Sequence, residues 1–110
     1  MSKRGDPFDA LAHPIRRAIL DLVRDQPAMA AGEIASHFPD VSRPAVSKHL
    51  RILRDAGLLR ARTKGREVRY RLDPRPLQEM YERWLYRYAP FWEQSLANLK
   101  RQVEEGQDRD

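Results

Sequence analysis

Apolar residues recur every three or four positions in several stretches of the chain, which is the spacing of one face of an α-helix. The first stretch covers residues 8–25 and is divided by Pro14, because proline is tolerated in the first turn of a helix and not deeper. Asp6-Pro7 is a helix-start signal before it, and Asp25-Gln26-Pro27 ends it. The pattern predicts two consecutive N-terminal helices.

A second pair of helices is predicted within residues 32–57, with residues 29–31 as a connector or short strand. Residues 32–38 form a short helix, and Pro39-Asp40 forms a turn. Ser42 is a strong cap for the next helix, and Gly57 is a good terminator. Its inward stripe at i, i+4 and i+7 comprises Val46, Leu50 and Leu53.

In residues 58–72 the spacing of apolar residues is no longer helical. Apolar and polar residues alternate instead, which is the pattern of a β-strand. Val68, Tyr70 and Leu72 alternate with Arg69 and Arg71, so that one face packs and the other is cationic. The residues 64–67 join two strands, and Gly65 supplies the turn. We predict a basic β-hairpin.

Asp73-Pro74 begins a last helical stretch, predicted over residues 74–105. Pro90 lies inside it and is expected to kink or restart the helix. Together these elements predict a mainly α-helical fold with a small β-hairpin, organised as a single domain over residues 1–110.

Charge is concentrated in one part of the chain. Residues 41–73 hold ten Lys and Arg against three Asp and Glu, or +7, whereas each flank is −1, which gives the net charge of +5. Such a local basic element is typical of a phosphate-binding surface, although many charge runs are simply solvated faces.

A short helix, a turn, a capped helix with a polar outer face and a basic hairpin form a helix-turn-helix with a wing. The N-terminal half of the second helix would face base edges in the major groove of double-stranded DNA, and the wing would reach the flanking backbone or the minor groove. Arg54 is expected to contact phosphate. The predicted DNA-binding residues are Ser42, Arg43, Ala45, Ser47, Lys48, His49, Arg51, Lys64, Arg66 and Arg69.

Two strings carry a family resemblance. Residues 11–20 read LAHPIRRAIL, and residues 42–59 read SRPAVSKHLRILRDAGLL. They resemble the ArsR-type winged helix-turn-helix repressors, as do Lys64-Gly65-Arg66 and Tyr70-Arg71-Leu72. The resemblance extends over about residues 8–103 and implies a dimeric transcriptional repressor of bacteria or archaea that binds an inverted-repeat operator. Phe91-Trp92-Glu93 resembles a subgroup that looks metal-independent.

The aromatic and aliphatic stripe of the last helix has three interpretations: an internal core, a small-ligand pocket or a dimer interface. We favour a homodimer, because too little chain remains to cover so long a helix and large aromatics suit interface centres. The resemblance also implies dimerisation through the first and last helices. The predicted interface residues are Phe8, Leu11, Tyr81, Trp84, Leu85, Tyr88, Trp92, Leu96 and Leu99.

Metal sensing is not expected, although many members of the family use it. The chain has no Cys, and its three His residues, His13, His37 and His49, lie in different predicted elements. A lone His is more often a cap or a hydrogen-bonding residue than a ligand. No metal or cofactor is therefore predicted, while an organic small-molecule effector stays open.

Two residues keep alternative roles. His49 either contacts DNA or forms a hydrogen bond within the motif. Arg16 either pairs with an Asp or contacts a backbone phosphate. Arg60 and Arg62 fit the interpretation of ordinary solvated strand residues.

Other function classes are disfavoured or kept as alternatives. No Ser-His-acid set, phosphate-binding glycine loop or activated-water site indicates an enzyme. The apolar runs are too short for a membrane span, and the N-terminus lacks a signal-peptide pattern, so a cytoplasmic protein is expected. The alternatives are a winged-helix module that binds an acidic partner protein and a non-specific architectural DNA-binding protein.

Overall fold

The computed structural model describes residues 5–107. Its elements follow in chain order as α1 (Pro7–Leu11), α2 (Pro14–Asp25), β1 (Met29–Ala30), α3 (Ala31–Ser36), α4 (Arg43–Asp55), β2 (Leu59–Lys64), β3 (Glu67–Leu72), α5 (Arg75–Arg83), a 3-10 turn (Leu85–Tyr88) and α6 (Ala89–Gln107). The chain divides into two compact units, Met1–Leu77 and Gln78–Asp110.

The first helix starts at the predicted cap Asp6, and the second starts at Pro14 behind His13, which was not predicted as a cap. Asp6 accepts a hydrogen bond from the Phe8 backbone N–H at 2.9 Å, with Pro7 in the first turn. The Nδ1 atom of His13 accepts from the Ile15 N–H at 3.2 Å, so α2 begins at Pro14. Because a proline at the first helical position lacks only an N–H that would be unsatisfied there, both prolines fit these starts.

A three-stranded antiparallel sheet in the order β1-β3-β2 packs beside the helices. The connector at residues 29–31 therefore contains a short strand, and Met29 pairs with Tyr70. The hairpin has a two-residue turn, Gly65-Arg66, since Lys64 lies opposite Glu67. Gly65 has a φ of 64°, whereas Arg66 does not have a positive φ, which is the pattern of a type II′ turn with Gly first.

The core of the first unit lies between α2, α3, α4 and the inner face of the sheet. Ile19, Ile34, Leu53 and Leu58 are fully buried in it. The predicted stripe of α4 faces this core, because Val46 and Leu50 are also buried. Gly57 has a φ of 77° just after α4, and the Leu58 N–H donates to the Leu53 carbonyl, so the predicted terminator is confirmed.

The last helical stretch, predicted over residues 74–105 with a kink or restart at Pro90, is interrupted and restarts. α5 ends at Arg83, Trp84 has non-helical backbone angles (φ −133°, ψ −61°), and α6 begins only at Ala89. Pro90 has no N–H to donate, and its ring would clash with the Tyr86 carbonyl in a continuous α-helix. The chain instead forms a 3-10 turn, in which the Ala89 N–H donates to Tyr86, and Pro90 lies in the first turn of the new helix.

Candidate nucleic-acid interface

The N-terminal half of α4 presents a polar surface opposite its buried stripe. The Ser42 hydroxyl oxygen accepts from the Ala45 N–H at 3.2 Å, which leaves the hydroxyl hydrogen available to donate. Arg43, Ser47 and Lys48 are exposed, and Ala45 is half-buried between them and the core. The structure thus brings together, at one helix start, the donors that can recognise base edges and phosphates.

The cations of α4 are not neutralised within the first unit. Among residues 5–107, Arg43, Lys48, Arg51 and Arg54 form no ion pair or hydrogen bond through their side chains. All four are exposed, so their charge is directed to the solvent. Such unneutralised guanidinium and ammonium groups suit the phosphates of a nucleic acid.

Lys64 and Arg66 lie at the tip of the hairpin, beside the turn. Both side chains are exposed, and within the described part of the chain neither has an acidic partner. The two-residue turn projects them beyond the body of the sheet. They remain candidates for contacts to the flanking backbone or the minor groove.

Arg69 lies on the hairpin as predicted, but its side chain has internal partners. Its guanidinium donates to the Ala28 carbonyl and to Glu67, each at 2.8 Å, and Glu33 is 3.7 Å away. Ala28 is a non-glycine residue with a φ of 66°, and this contact holds it at the edge of the sheet. The DNA-binding prediction for Arg69 missed these bonds, because they join positions far apart in sequence.

His49 lies inside the motif and forms a hydrogen bond there, as the second of its two proposed roles requires. It is half-buried, its ring lies 4.5 Å from that of His13, and Nδ1 accepts from Arg16 at 3.2 Å. Burial lowers the pKa of His49, and His13, Arg16 and Lys48 lower it further. The sequence spacing of the two His residues gave no sign that their rings meet.

Arg16 is held by internal hydrogen bonds and not by the ion pair with an Asp that was one of its two expected roles. Its guanidinium donates to the Ala10 carbonyl at 2.6 Å and to the Asp9 carbonyl at 3.0 Å, in addition to His49. No Asp carboxylate is within ion-pair distance of Arg16 in the described residues. The residue therefore joins α1, α2 and α4.

Arg60 also differs from a simple solvated residue. It donates at 2.9 Å to Asp73, a buried carboxylate that also accepts from the side chain and the backbone N–H of Arg75. Arg62 and Arg71 are exposed and lie on the same face of the hairpin. Sequence reasoning left Arg71 out of the site, although its alternation with Tyr70 and Leu72 was visible.

The predicted interface residues divide between the two units. In the first unit, Phe8 is exposed and Leu11 packs against the core. In the second unit, Leu85 is half-buried and the others are exposed: Tyr81, Trp84, Tyr88, Trp92, Leu96 and Leu99. Phe91, Tyr86 and Val103 are not among the predicted residues and are exposed too, by 72%, 61% and 54%. Trp84 and Tyr88 pack edge to face at 5.3 Å.

The described residues contain neither a metal-ligand cluster nor a helix suited to a membrane. Over residues 5–107, no three His, Cys, Asp or Glu side chains are grouped so that they could hold a metal ion. None of the helices described there is long and apolar enough to cross a membrane.

A capped helix with unneutralised cations, a preceding short helix and a basic hairpin define the class of winged helix-turn-helix proteins. Comparison with known families agrees, because a family profile described as a helix-turn-helix domain matches residues 11–62.

Similar proteins identify the family. The chain is 42% identical to the transcriptional repressor SdpR of Bacillus subtilis over 66% of this chain and 78% of that protein. It is 39% identical to the HTH-type transcriptional regulator Rv2034 of Mycobacterium tuberculosis, over 92% and 90% of the two chains. An ArsR-like transcriptional regulator from Rhodococcus sp. RHA1 has a similar fold, with a TM-score of 0.66 and 35% identity over 89% and 87% of the chains. The chain belongs to the ArsR family of winged helix-turn-helix transcriptional regulators, which bind DNA.

Proposed function

We propose that this protein is a homodimeric repressor that binds an inverted-repeat DNA operator. The observation that carries the proposal is the set of unneutralised cations on the exposed face of α4, which is capped by Ser42 and begins at Arg43. A capped helix of this kind is narrow enough for the major groove, and its first turns supply donors for base edges. Occupation of a promoter by such a dimer would exclude RNA polymerase, and its site of action would be the cytoplasm.

Homodimer formation is supported by the exposed apolar side chains of the second unit. Phe91, Leu96 and Leu99 are each more than half exposed, which is unusual for large apolar residues close together on a monomer. A two-fold dimer would bury them and place two α4 helices about 34 Å apart, one turn of DNA. This spacing favours an operator with two symmetric half-sites.

The residues have distinct proposed roles. Arg43 and Lys48 contact base edges, because they lie at the start of α4. The residues beside them in the same contact surface are Ser42, Ala45 and Ser47. Arg51, Lys64 and Arg66 contact phosphates, because they lie farther along the helix or at the hairpin tip. The internal bonds of His49 and Arg69 favour supporting roles, in which they hold α4 and the sheet in place.

Regulation by soft metals or thiol redox chemistry is not part of the proposal, because the sequence has no Cys. Control by an organic effector or by expression level fits the same chain equally well.

The experiment begins with selection of bound sequences from a random duplex library, followed by fluorescence anisotropy with the selected and a scrambled duplex at two salt concentrations. Arg43→Ala and Lys48→Ala should reduce discrimination between the duplexes by about 1–3 kcal/mol. Arg66→Ala should weaken both complexes alike and lower the salt slope by about 1 for each phosphate that the protein no longer neutralises. Arg101→Ala, on α6 opposite its apolar stripe, is the matched control for charge.

The alternatives give different results in the same titration. Equal affinity of the wild type for all duplexes would indicate an architectural protein. No duplex binding at physiological salt would favour a module for acidic proteins, and identical behaviour of the two kinds of variant would contradict the assigned roles.

A further inference from the structure

The outer face of the sheet carries a dense set of cations that the α4 surface does not account for. In the hairpin register, Arg60 lies opposite Arg71 and Arg62 lies opposite Arg69. Like charges directly opposite each other destabilise a strand pair. Each pair is unfavourable to the extent that its charges are not neutralised, and an anion bound at this face would relieve the repulsion that remains.

Part of this charge is neutralised inside the unit. Asp73 pairs with Arg60 at 2.9 Å, and Glu67 pairs with Arg69 at 2.8 Å. By contrast, Arg62, Lys64 and Arg71 are exposed and have no acidic partner among residues 5–107. Three positive charges are thus left for a ligand from outside.

These side chains enclose a groove. It has a volume of about 250 Å³, and its walls are Ala28, Arg62, Lys64, Arg69 and Arg71. The guanidinium of Arg69 is fixed there by its 2.8 Å bond to the Ala28 carbonyl, so one wall is already ordered. Planar guanidinium groups match phosphate oxygens in pairs, and a groove of this size accommodates a phosphate group.

The position of the groove indicates where the phosphate comes from. The inner face of the same sheet packs toward the helices, so the groove opens on the side away from the core. Lys64 belongs both to the groove and to the hairpin tip, which makes the two surfaces continuous. A duplex bound at the hairpin tip would therefore have the groove beside it.

We infer that this groove binds backbone phosphates of the DNA that flanks the operator, outside the two half-sites. The inference rests on the proposed function for its ligand. In this assignment Arg62 and Arg71 contact DNA only through its charged phosphates and do not recognise bases. The flanking contacts should therefore raise affinity equally for every flanking sequence.

The test uses the full-length protein and two duplexes with the selected operator. One ends at the operator, and the other extends it by roughly one helical turn, about 10 base pairs, on each side. Anisotropy over a salt series gives the salt slope for the wild type, Arg62→Gln, Arg71→Gln and the charge control Arg101→Gln. Thermal unfolding first establishes that the exposed substitutions leave the fold intact.

The wild type and the control should show a steeper salt slope on the long duplex. Each groove variant should lower that slope by about 2 for a dimer, at about 0.9 for each phosphate that is no longer neutralised, and should leave the short duplex unaffected. Equal slopes on both duplexes, for the wild type and the variants alike, would overturn the assignment to flanking DNA.

A calorimetric titration with tripolyphosphate separates the two sources of phosphate. One outcome would be that the wild type binds tripolyphosphate, the groove variants do not bind it, and duplex length does not change the salt slope. In that case the groove binds a free anion, and the assignment to DNA is wrong. If neither experiment responds to the variants, the groove binds no phosphate. A failure of the proposed function would give a different result: the wild type would bind the selected and the scrambled short duplexes with equal affinity.

Discussion

Arg16 donates a hydrogen bond to Nδ1 of His49 over 3.2 Å and thereby joins α2 to α4. A guanidinium can only donate, so this nitrogen of His49 must be unprotonated. His49 is therefore neutral in the folded structure, with its proton on Nε2. Nδ1 of the adjacent His13 accepts from the Ile15 N–H.

Replacing Arg16 should destabilise the first unit. Arg16→Ala removes donors from two backbone carbonyls and from His49, and we expect a loss of about 2 kcal/mol in the free energy of unfolding. Arg17→Ala is the matched control, because exposed Arg17 makes one bond, to the Leu11 carbonyl, and should lose about 0.5 kcal/mol. Urea unfolding measures both, and equal losses would contradict the joining role.

Stability should fall on mild acidification. Burial, followed by the charges of His13, Arg16 and Lys48, lowers the pKa of His49 from its ordinary value of 6.5. On acidification the unfolded state binds the proton first, so the contribution of neutral His49 is complete above pH 6.5 and is lost as the pH falls below 6.5 and through the lower pKa of the folded state.

Urea unfolding at a series of pH values tests this dependence. His49→Gln keeps an acceptor for Arg16 without a titrating group, and its stability should change less below pH 6.5 than that of the wild type. His37→Gln, at an exposed position after α3, should retain the wild-type profile. Parallel profiles for the wild type and His49→Gln would show that another group causes the acid loss.

Asp73 should be more important for stability than either of its partners. Its carboxylate is buried, accepts from Arg60 and Arg75, and also binds the Arg75 backbone N–H at the start of α5. Asp73→Ala should cost about 2 kcal/mol through the lost cap and charged hydrogen bonds. Arg60→Gln or Arg75→Gln should cost under about 1 kcal/mol, because both side chains are mostly exposed. Thermal denaturation would contradict this ranking if all three variants melted alike.

Ala28→Gly should stabilise the protein. Ala28 occupies the left-handed region at a φ of 66°, where a Cβ is unfavourable. Relief of about 1–2 kcal/mol exceeds the entropy that glycine adds to the unfolded chain, so a net gain of about 0.5 kcal/mol is expected. Ala12→Gly, at an exposed position with ordinary backbone angles, should instead be destabilising. A lower melting temperature in both Ala28→Gly and Ala12→Gly than in the wild type would exclude strain at Ala28.

Leu96→Glu should disrupt the proposed dimer. A charge in the exposed apolar stripe of α6 opposes burial of that face, and sedimentation velocity should show a monomer. Loss of the second α4 should weaken operator binding by roughly a hundredfold. Gln94→Glu adds the same charge on the opposite side of α6 and should remain dimeric. If Leu96→Glu had the same sedimentation coefficient as the wild type, the proposal that this stripe of α6 forms the dimer interface would be wrong.

Local signals predicted the elements of the first unit well. Asp6, Ser42 and Gly57 mark helix ends through caps and backbone angles that depend on a few neighbouring residues, and the structure has those ends. The buried stripe of α4 was visible for the same reason. The winged fold followed from the order of these elements.

The features that the sequence did not reveal are contacts between distant residues and the choice between two local outcomes at Pro90. The bonds of Arg69 to Ala28 and of Arg16 to His49 cross many positions of the chain, so no spacing rule reveals them. Pro90 could bend or interrupt a helix, and a sequence pattern alone does not distinguish the two. The break falls at Trp84, where the chain leaves the helix before the proline ring would clash.

The unneutralised arginines of the sheet affect how the protein must be handled. In the free protein, Arg62 and Arg71 repel their neighbours across the hairpin. Dissolved ions weaken that repulsion only at high concentration, because the screening distance falls from about 10 Å at 0.1 M salt to about 3 Å at 1 M. Added salt should therefore improve the storage life of the purified protein while it releases the protein from DNA. Purification and long-term storage call for a concentrated salt buffer, and complexes with DNA are best prepared by dialysis out of it.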